Sequence, residues 1–575
     1  MMIGLYLGIH PATAQYSKLL DFDFTNGAIP LFGNLILAED VLYGSTSIGG
    51  VNGMGCIFKI NTDGTGYTKL LDFSNSVNWA FPLGSLVLSG DVLYGTAYSG
   101  VTYSGGCVFK INTDGSGFTS LHDFNGTTDG AAPFGSLTLS GTVLYGTTRY
   151  GGTNNEGCIF KINTDGSGYE LLFNFGGIGA GSEPCGALLL SGNVLYGITP
   201  YGGASDLGCI FSINTDGTGY ANLFEFDGGN NGYNPFGSLT ISGNTLYGTT
   251  VAGGGYDLGC LFSYGIDGAG YTPLLDFNMD RGSEPISSLT LVDNMLYGMT
   301  TTGGYYDYGC MFQFDPAWCS YTKLLEFNGT DNGRTPQGGL TYSGSAFYGM
   351  TSAGGINDYG VIFKYVLPPT SQTSNIDFPF VGINVADITW TDGSGEKRVV
   401  FVKEGTGTIT NPVDNTTYTA STNWDSKGTQ LGTSGYYCVY NGTGNIVSIT
   451  SLTPGTSYTV QAFEYNGEAG TEQYLLEAGS GNPITFQTES INAIQTDREN
   501  LVQLYSDGSD IYAVIDDYHA KAQLAVYNLS GVCIAQKNIL VEGKNKITGD
   551  YRPGVYIVRL VLDDRLYTQK VLIEN

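Results

Sequence analysis

Seven times the chain repeats a phrase built on Leu-Tyr-Gly, written Phe-Tyr-Gly in the last copy. Its tyrosines fall at Tyr43, Tyr94, Tyr145, Tyr196, Tyr247, Tyr297 and Tyr348, a period of 51 or 50 residues throughout. A fixed period of this length marks a supersecondary unit that buries its apolar faces against its neighbours. Each copy holds four strand-like runs separated by Gly, Asn, Asp and Ser, as in Gly135 to Gly141, Val143 to Thr148, Gly157 to Ile162 and, in the first copy, Tyr67 to Phe73. Four short strands per period predict a β-propeller blade. The phase predicts how the ring closes: an orphan outer strand, Tyr16 to Phe22, precedes the first copy, and the seventh ends after Gly360 to Tyr365 without one. The orphan should complete the seventh blade of a ring over residues 16–366, leaving no open blade edge.

Composition agrees with an all-β chain: 88 of 575 residues are Gly, 41 are Tyr, and only 13% are charged. The net charge of -29, with 23 Lys and Arg in all, leaves no basic stripe for a phosphate backbone, so no nucleic acid partner is expected. An apolar start ending in Ala12-Thr13-Ala14 reads as a signal peptide over residues 1–14, without the usual positive segment. No run of about 20 apolar residues follows, so no transmembrane helix is expected.

Six of the ten cysteines, Cys56, Cys107, Cys158, Cys209, Cys260 and Cys310, share one repeat slot. They stand a whole unit apart, beyond the Cα separation of about 7 Å that a disulfide tolerates. The seventh slot holds Val361, which points to packing. No metal or other cofactor is expected, since no Cys/His cluster accompanies these thiols. The Asn61-Thr62-Asp63-Gly64 step reads as a hairpin turn; the competing calcium reading lacks alternating carboxylates and a closing Glu. His10, His122 and His519 stand beside no recognisable nucleophile, and no catalytic residue is assigned.

The recurring LYGTTxxGGxxxxGxIFxI pattern resembles the exported proteins that carry tandem GloVer repeats. That resemblance implies a propeller and an exported destination, and no particular reaction. After Val366 to Gln372 the period stops, and residues 367–372 read as a linker. Residues 373–488 resemble a fibronectin type III β-sandwich, with Trp390 as a core tryptophan and Tyr458, in Leu-Thr-Pro-Gly-Thr-Ser-Tyr, as a tyrosine corner. A polar insertion over 408–433 is assigned no role. Residues 491–575 resemble the type A C-terminal sorting domain of the type IX secretion system, on Gly531, Gly554-Val555-Tyr556 and Lys570-Val571, although the usual Asn-Pro near its start is absent. That resemblance implies recognition by the type IX machinery at the outer membrane and a secreted or surface destination. The expected fold is thus a seven-bladed β-propeller followed by two β-sandwich domains.

A binding site must break the symmetry of its scaffold, so the two variable connections of each repeat matter most: the loop before the first strand and the loop after Leu-Tyr-Gly. Antiparallel order puts both on one face. That face is expected to carry Trp79, Tyr98, Tyr103, Arg149, Tyr150, Tyr201, Tyr233, Tyr256, Arg281, Tyr305, Tyr306 and Arg334, with Asn154, Asn155, Asp206 and Asp307 nearby. Aromatic faces beside polar groups suit sugar rings or a protein partner. Three functions remain open: non-catalytic binding or adhesion, with polysaccharide or a surface protein as the partner; polysaccharide cleavage by acidic residues of the same face; and a structural surface component.

Overall fold

Seven antiparallel sheets succeed one another along residues 16–366, six of four strands and one of five. Blade 1 comprises Ile36–Ala38, Val41–Thr46, Cys56–Asn61 and Thr68–Asp72, from inner to outer strand, and blades 2 to 6 repeat this order. Blade 7 takes Thr341–Tyr342, Ala346–Thr351 and Val361–Val366, and is completed by Tyr16–Asp21. Tyr16 lies opposite Tyr365 and Asp21 opposite Val361. The closure extends past the strand: Phe22 N–H donates to Gly360 O at 3.0 Å and Ile29 N–H to Tyr359 O at 2.9 Å. This computed structural model describes residues 15–74, 80–99, 105–477, 479–489, 502–507, 510–515, 522–528, 531–537, 543–552, 554–562 and 565–573.

The second strand of each blade is buried almost throughout, because blades pack on both of its faces; hence it shows no alternation of buried and exposed positions. One contact defines every blade seam. A Phe just after the outer strand meets, edge to face, the third-strand Phe of the next blade: Phe22 with Phe58, Phe73 with Phe109, Phe124 with Phe160, and so on to Phe327 with Phe363, at centroid distances from 5.2 to 5.7 Å. The third-strand Phe also explains the invariant Gly of Leu-Tyr-Gly. A Cβ on Gly146 would sit 2.5 Å from Phe160 Cζ and 2.9 Å from Leu137 Cδ2. Overpacking of this kind costs about 1–3 kcal/mol.

The six repeat cysteines are buried, and Cys56 lies 3.3 Å from Thr46 Oγ1. Burial pushes the Cys56 thiol up to about 11. They pack, as their slot predicts.

Two sandwich domains follow. In the first, a sheet of order Tyr437–Gly442, Lys397–Glu404, Ser457–Asn466, Gln473–Tyr474, with Ile484–Gln487 also on Ser457–Asn466, faces a sheet of Ser374–Val381, Val385–Thr391 and Ile446–Thr450. Trp390 is buried against Tyr440 at 5.1 Å. Tyr458 is fully buried and meets Trp424 edge to face at 5.3 Å. The insertion over 408–433 therefore has a structural role: Tyr418 and Leu431 join the core around Phe401 and Phe463. Ser345 of blade 7 donates to Glu396, and Asn466 Nδ2 donates to Leu367 O at 2.9 Å, so this sandwich meets the ring at the linker and at the turn after its seventh inner strand.

The second sandwich pairs a sheet of Val502–Asp507, Asp510–Ile515 and Gly543–Ile547 with one of order Cys533–Lys537, Ala522–Tyr527, Gly554–Leu562, Arg565–Ile573. Its core joins Ile511, Ala513 and Ile547 to Leu524, Val526, Val558 and Leu560. The chain divides into two compact units, one of Met1–Pro379, Asp387–Ile449 and Tyr458–Thr485, the other of Phe380–Ala386, Thr450–Ser457 and Phe486–Asn575.

Candidate functional site

The short turns between third and outer strands are closed by their own side chains. Asp63 Oδ1 accepts from Thr65 N–H at 2.9 Å and from its hydroxyl, and Asp114, Asp165 and Asp216 repeat the arrangement. The Thr65 and Ser116 hydroxyl and N–H groups hold these carboxylates below the usual range. In each of these turns Oδ1 accepts both bonds, the work a hairpin turn asks of its Asp.

On the opposite face, where the long connections gather, the backbone is fixed before any side chain is offered. The residue before the lead-in proline takes a left-handed φ in every blade, including Ala132, Glu183, Glu284 and Thr335. Its N–H reaches the preceding blade, as in Glu183 to Glu156 O at 2.9 Å and Thr335 to Tyr308 O at 2.9 Å. In the loop after the second strand, Asn155, Asp206, Asp257, Asp307 and Asp358 also have positive φ, and each side chain accepts from the N–H of the first Gly of the Gly-Gly pair. Asn154 Nδ2 donates to Phe175 O at 2.9 Å. Asn154, Asn155, Asp206 and Asp307, expected beside a ligand, thus brace the loops.

The axis of the ring holds a cavity of about 330 Å³ lined by Asn34, Ser85, Ser136, Ser238 and Ser288 among others. These side chains link inner strands: Asn34 N–H donates to Ser85 Oγ and Ser85 N–H to Ser136 Oγ, both at 2.7 Å, and Ser238 N–H to Ser288 Oγ at 2.9 Å. At the loop face the axis is plugged. Phe32, Phe134 and Phe236, each just before an inner strand, stand with centroids 4.7, 5.3 and 5.6 Å apart, and Tyr98 packs on Phe134.

Around that plug the seven repeats differ most. At the end of the second strand, blades 2 to 4 place Tyr98, Arg149, Tyr150 and Tyr201 where the others carry smaller residues such as Ser47, Thr301 and Ser352. Arg149 donates through Nε and Nη2 to Glu183 Oε2 at 3.0 and 2.9 Å, with its guanidinium 5.5 Å from the Phe134 ring and 5.3 Å from the Tyr150 ring. Burial opposes the Arg149 charge, yet nearby Cys185 and Glu183 outweigh it and hold its pKa up. Farther out, adjacent blades 5, 6, 7 and 1 present apolar tips just after the Gly-Gly pair: Tyr256 at 61% exposed, Tyr305 at 82%, Ile356 at 74% and Val51 at 79%. Tyr306 stands edge to face with Tyr305 at 5.0 Å. Blades 3 and 4 place Thr153, Asn154, Ala204 and Ser205 in these slots.

The remaining candidates are engaged within the face. Tyr233 OH donates to Asp257 Oδ1 at 3.1 Å, which raises its pKa. Arg281 Nη1 donates to Asp276 O at 3.3 Å, and Arg334 makes a two-pronged bond to Asp358 at 2.9 and 2.7 Å. Arg334 holds the Asp358 carboxyl below its usual range. Trp79 and Tyr103 lie outside the described residues, as do His10 and His519. His122 stacks on Tyr169 at 3.8 Å with Nε2 3.0 Å from Asp129. In the second sandwich, Tyr556 lies opposite Val571 and Ile557 opposite Lys570, Val555 pairs Leu572, and Gly531 and Gly554 have positive φ. The sequence reading missed Glu183, Val51, Ile356 and the phenylalanine plug.

Ring, seams and one unequal face define a seven-bladed propeller of the repeat class. A sequence model of the Gloeobacter/Verrucomicrobia repeat matches residues 4–211 and 195–389. The chain belongs to that family. No functionally curated protein matches it by sequence. Among solved structures, similar ones include TolB from Acinetobacter baumannii (11% identity, 48% of this chain, TM-score 0.31), of which the alignment spans only 60%. Others are a Mycobacterium tuberculosis puromycin-hydrolyzing peptidase (11% identity, 66% of this chain and 61% of that one, TM-score 0.39) and the GH74 xyloglucanase of Xanthomonas campestris (12% identity, 96% and 87%, TM-score 0.43). Among the described residues no helix is long and apolar enough to cross a membrane.

Proposed function

We propose that this is an exported, secreted or cell-surface binding protein that holds carbohydrate on the variable-loop face of its propeller without transforming it. The observation that carries the reading is the unequal distribution of aromatic side chains on that face: Tyr98 against the plug, Tyr150 and Tyr201 just past the second strands of blades 3 and 4, and Tyr256, Tyr305 and Tyr306 exposed farther out. Open aromatic faces next to hydrogen-bonding groups match the alternating apolar and hydroxyl faces of a sugar ring. The phenylalanine plug favours surface binding over a deep reaction funnel. In the same reading residues 1–14 are a signal peptide, 373–488 a fibronectin type III-like spacer, and 491–575 a sorting domain that hands the protein to the type IX machinery by way of the periplasm and outer membrane.

The test is to present the full chain to immobilised plant, algal and bacterial polysaccharides, recording both retention and release of reducing ends. Retention without release, lost in a Tyr305→Ala/Tyr306→Ala variant that unfolds at the wild-type temperature, is the expected result. Release of products would replace the reading with that of a polysaccharide-cleaving enzyme.

A further inference from the structure

We infer that the loop face selects neutral over anionic polysaccharide, and that Glu183 sets this choice by occupying Arg149. The inference rests on the carbohydrate reading above and adds the class of sugar.

An anionic polymer is held by cations that are free to meet its carboxylates or sulfates, above all by arginine forks. The cations near this face are Lys18, Lys69, Arg149, Arg281, Lys323 and Arg334, and each is already engaged. Lys18 pairs with Asp21 and Lys69 with Asp72, both at 2.9 Å; Lys323 pairs with Glu326; Arg334 grips Asp358. Arg281 Nη1 donates to the Asp276 carbonyl at 3.3 Å, and its guanidinium lies 5.9 Å from the Tyr321 ring. The undescribed stretches 75–79 and 100–104 contain no Lys or Arg in sequence. With a chain charge of -29 the long-range field also repels a polyanion.

Arg149 is the cation that matters, because it alone stands beside the plug among Phe134, Tyr98 and Tyr150. Its fork is spent on one oxygen of Glu183, and both side chains remain partly exposed, at 21% and 25%. The pair therefore presents Arg149 Nη1 as a donor and Glu183 Oε1 as an acceptor with no net charge. That combination suits sugar hydroxyls, which both donate and accept, and gives a carboxylate nothing to pair with. A neutral residue at 183 would keep the donor and unmask the charge.

The experiment compares retention of the full chain on a neutral β-glucan and on alginate, for wild type, Glu183→Gln, and Asp358→Asn, which frees Arg334 at a more exposed pair. Wild type should be retained by the glucan and not by alginate. Glu183→Gln should gain alginate retention by about tenfold, the worth of one charge-assisted hydrogen bond, and lose it in about 0.5 M salt. Asp358→Asn should act in the same direction. Wild-type retention on alginate, or no gain in either variant while glucan binding persists, would overturn the inference and leave the carbohydrate reading standing. Retention of no variant on either matrix would overturn both.

Discussion

The ring closure predicts a specific equality. Phe22 directly follows the N-terminal strand, 319 positions before Thr341, where the rest of blade 7 begins, yet it forms the same seam as Phe175 does within the middle of the ring: both are fully buried, and their partners Phe58 and Phe211 lie at 5.7 and 5.3 Å. Truncating a buried Phe to Ala costs about 3–5 kcal/mol in lost transfer energy and residual cavity. For a ring of roughly 350 residues unfolding with an entropy of about 2.1 cal/mol/K per residue, or about 0.7 kcal/mol/K in all, that cost lowers the midpoint by about 4–7 °C. Calorimetry of Phe22→Ala and Phe175→Ala in the full chain should show the same drop in the propeller transition. The reasoning fails if Phe175→Ala falls by that amount while Phe22→Ala moves by less than about 1 °C, because the N-terminal strand would then be an appendage able to fray without opening the ring.

Two further outcomes follow from the side-chain environments. Ellman's reagent near pH 8 should titrate two thiols quickly, the exposed Cys319 and Cys533, and the eight buried ones only after denaturation, since burial pushes thiols such as Cys158 and Cys209 up to about 11. Asp358 is depressed chiefly by its hydrogen bonds from Arg334, so its NMR titration midpoint should rise toward 3.8 in Arg334→Gln. A depressed carboxyl stabilises above its unfolded value and loses that contribution as pH falls through its folded one. Wild type should therefore exceed the variant by no more than about 1 kcal/mol near neutral pH, the worth of an exposed pair, and the two should converge in acid.

The architecture was legible because the ring repeats its physics. A Phe that must meet the next blade, a Gly that must admit it and a Cys beneath the loop recur at one period, so seven weak signals become one strong one. The candidate site had no such amplification. Tyr305 and Tyr306 were legible as aromatics interrupting a variable loop. Val51 and Ile356 occupy the same tip but read as ordinary apolar residues, whose exposure only the fold reveals. Glu183 and Arg149 lie 34 positions apart, and their pairing depends on a blade-to-blade crossing that no local pattern encodes. The polar-looking insertion hid Tyr418 and Trp424 for the opposite reason: isolated aromatics among Asn and Thr carry no periodicity, although both are buried.

That contrast bears on where a ligand can go. Repeated polar groups of the loop face are consumed within the ring: in blades 3 to 7 the Asn or Asp that follows the Gly-Gly pair braces its own turn, and the serines of the axis bind the neighbouring strand. What is left for a partner is whatever departs from the repeat. Those departures fall in two sectors, Tyr98, Arg149, Tyr150 and Tyr201 just past the second strands of blades 2 to 4, and the apolar tips of blades 5, 6, 7 and 1. Because blades of nearly identical design present equivalent slots at one height, the tips share a level above the plugged axis. A small ligand would use one sector only, whereas an extended chain lying across the plug could touch both. Tyr201→Ala and Tyr305→Ala would then each weaken a long oligosaccharide, and only one of them a short one.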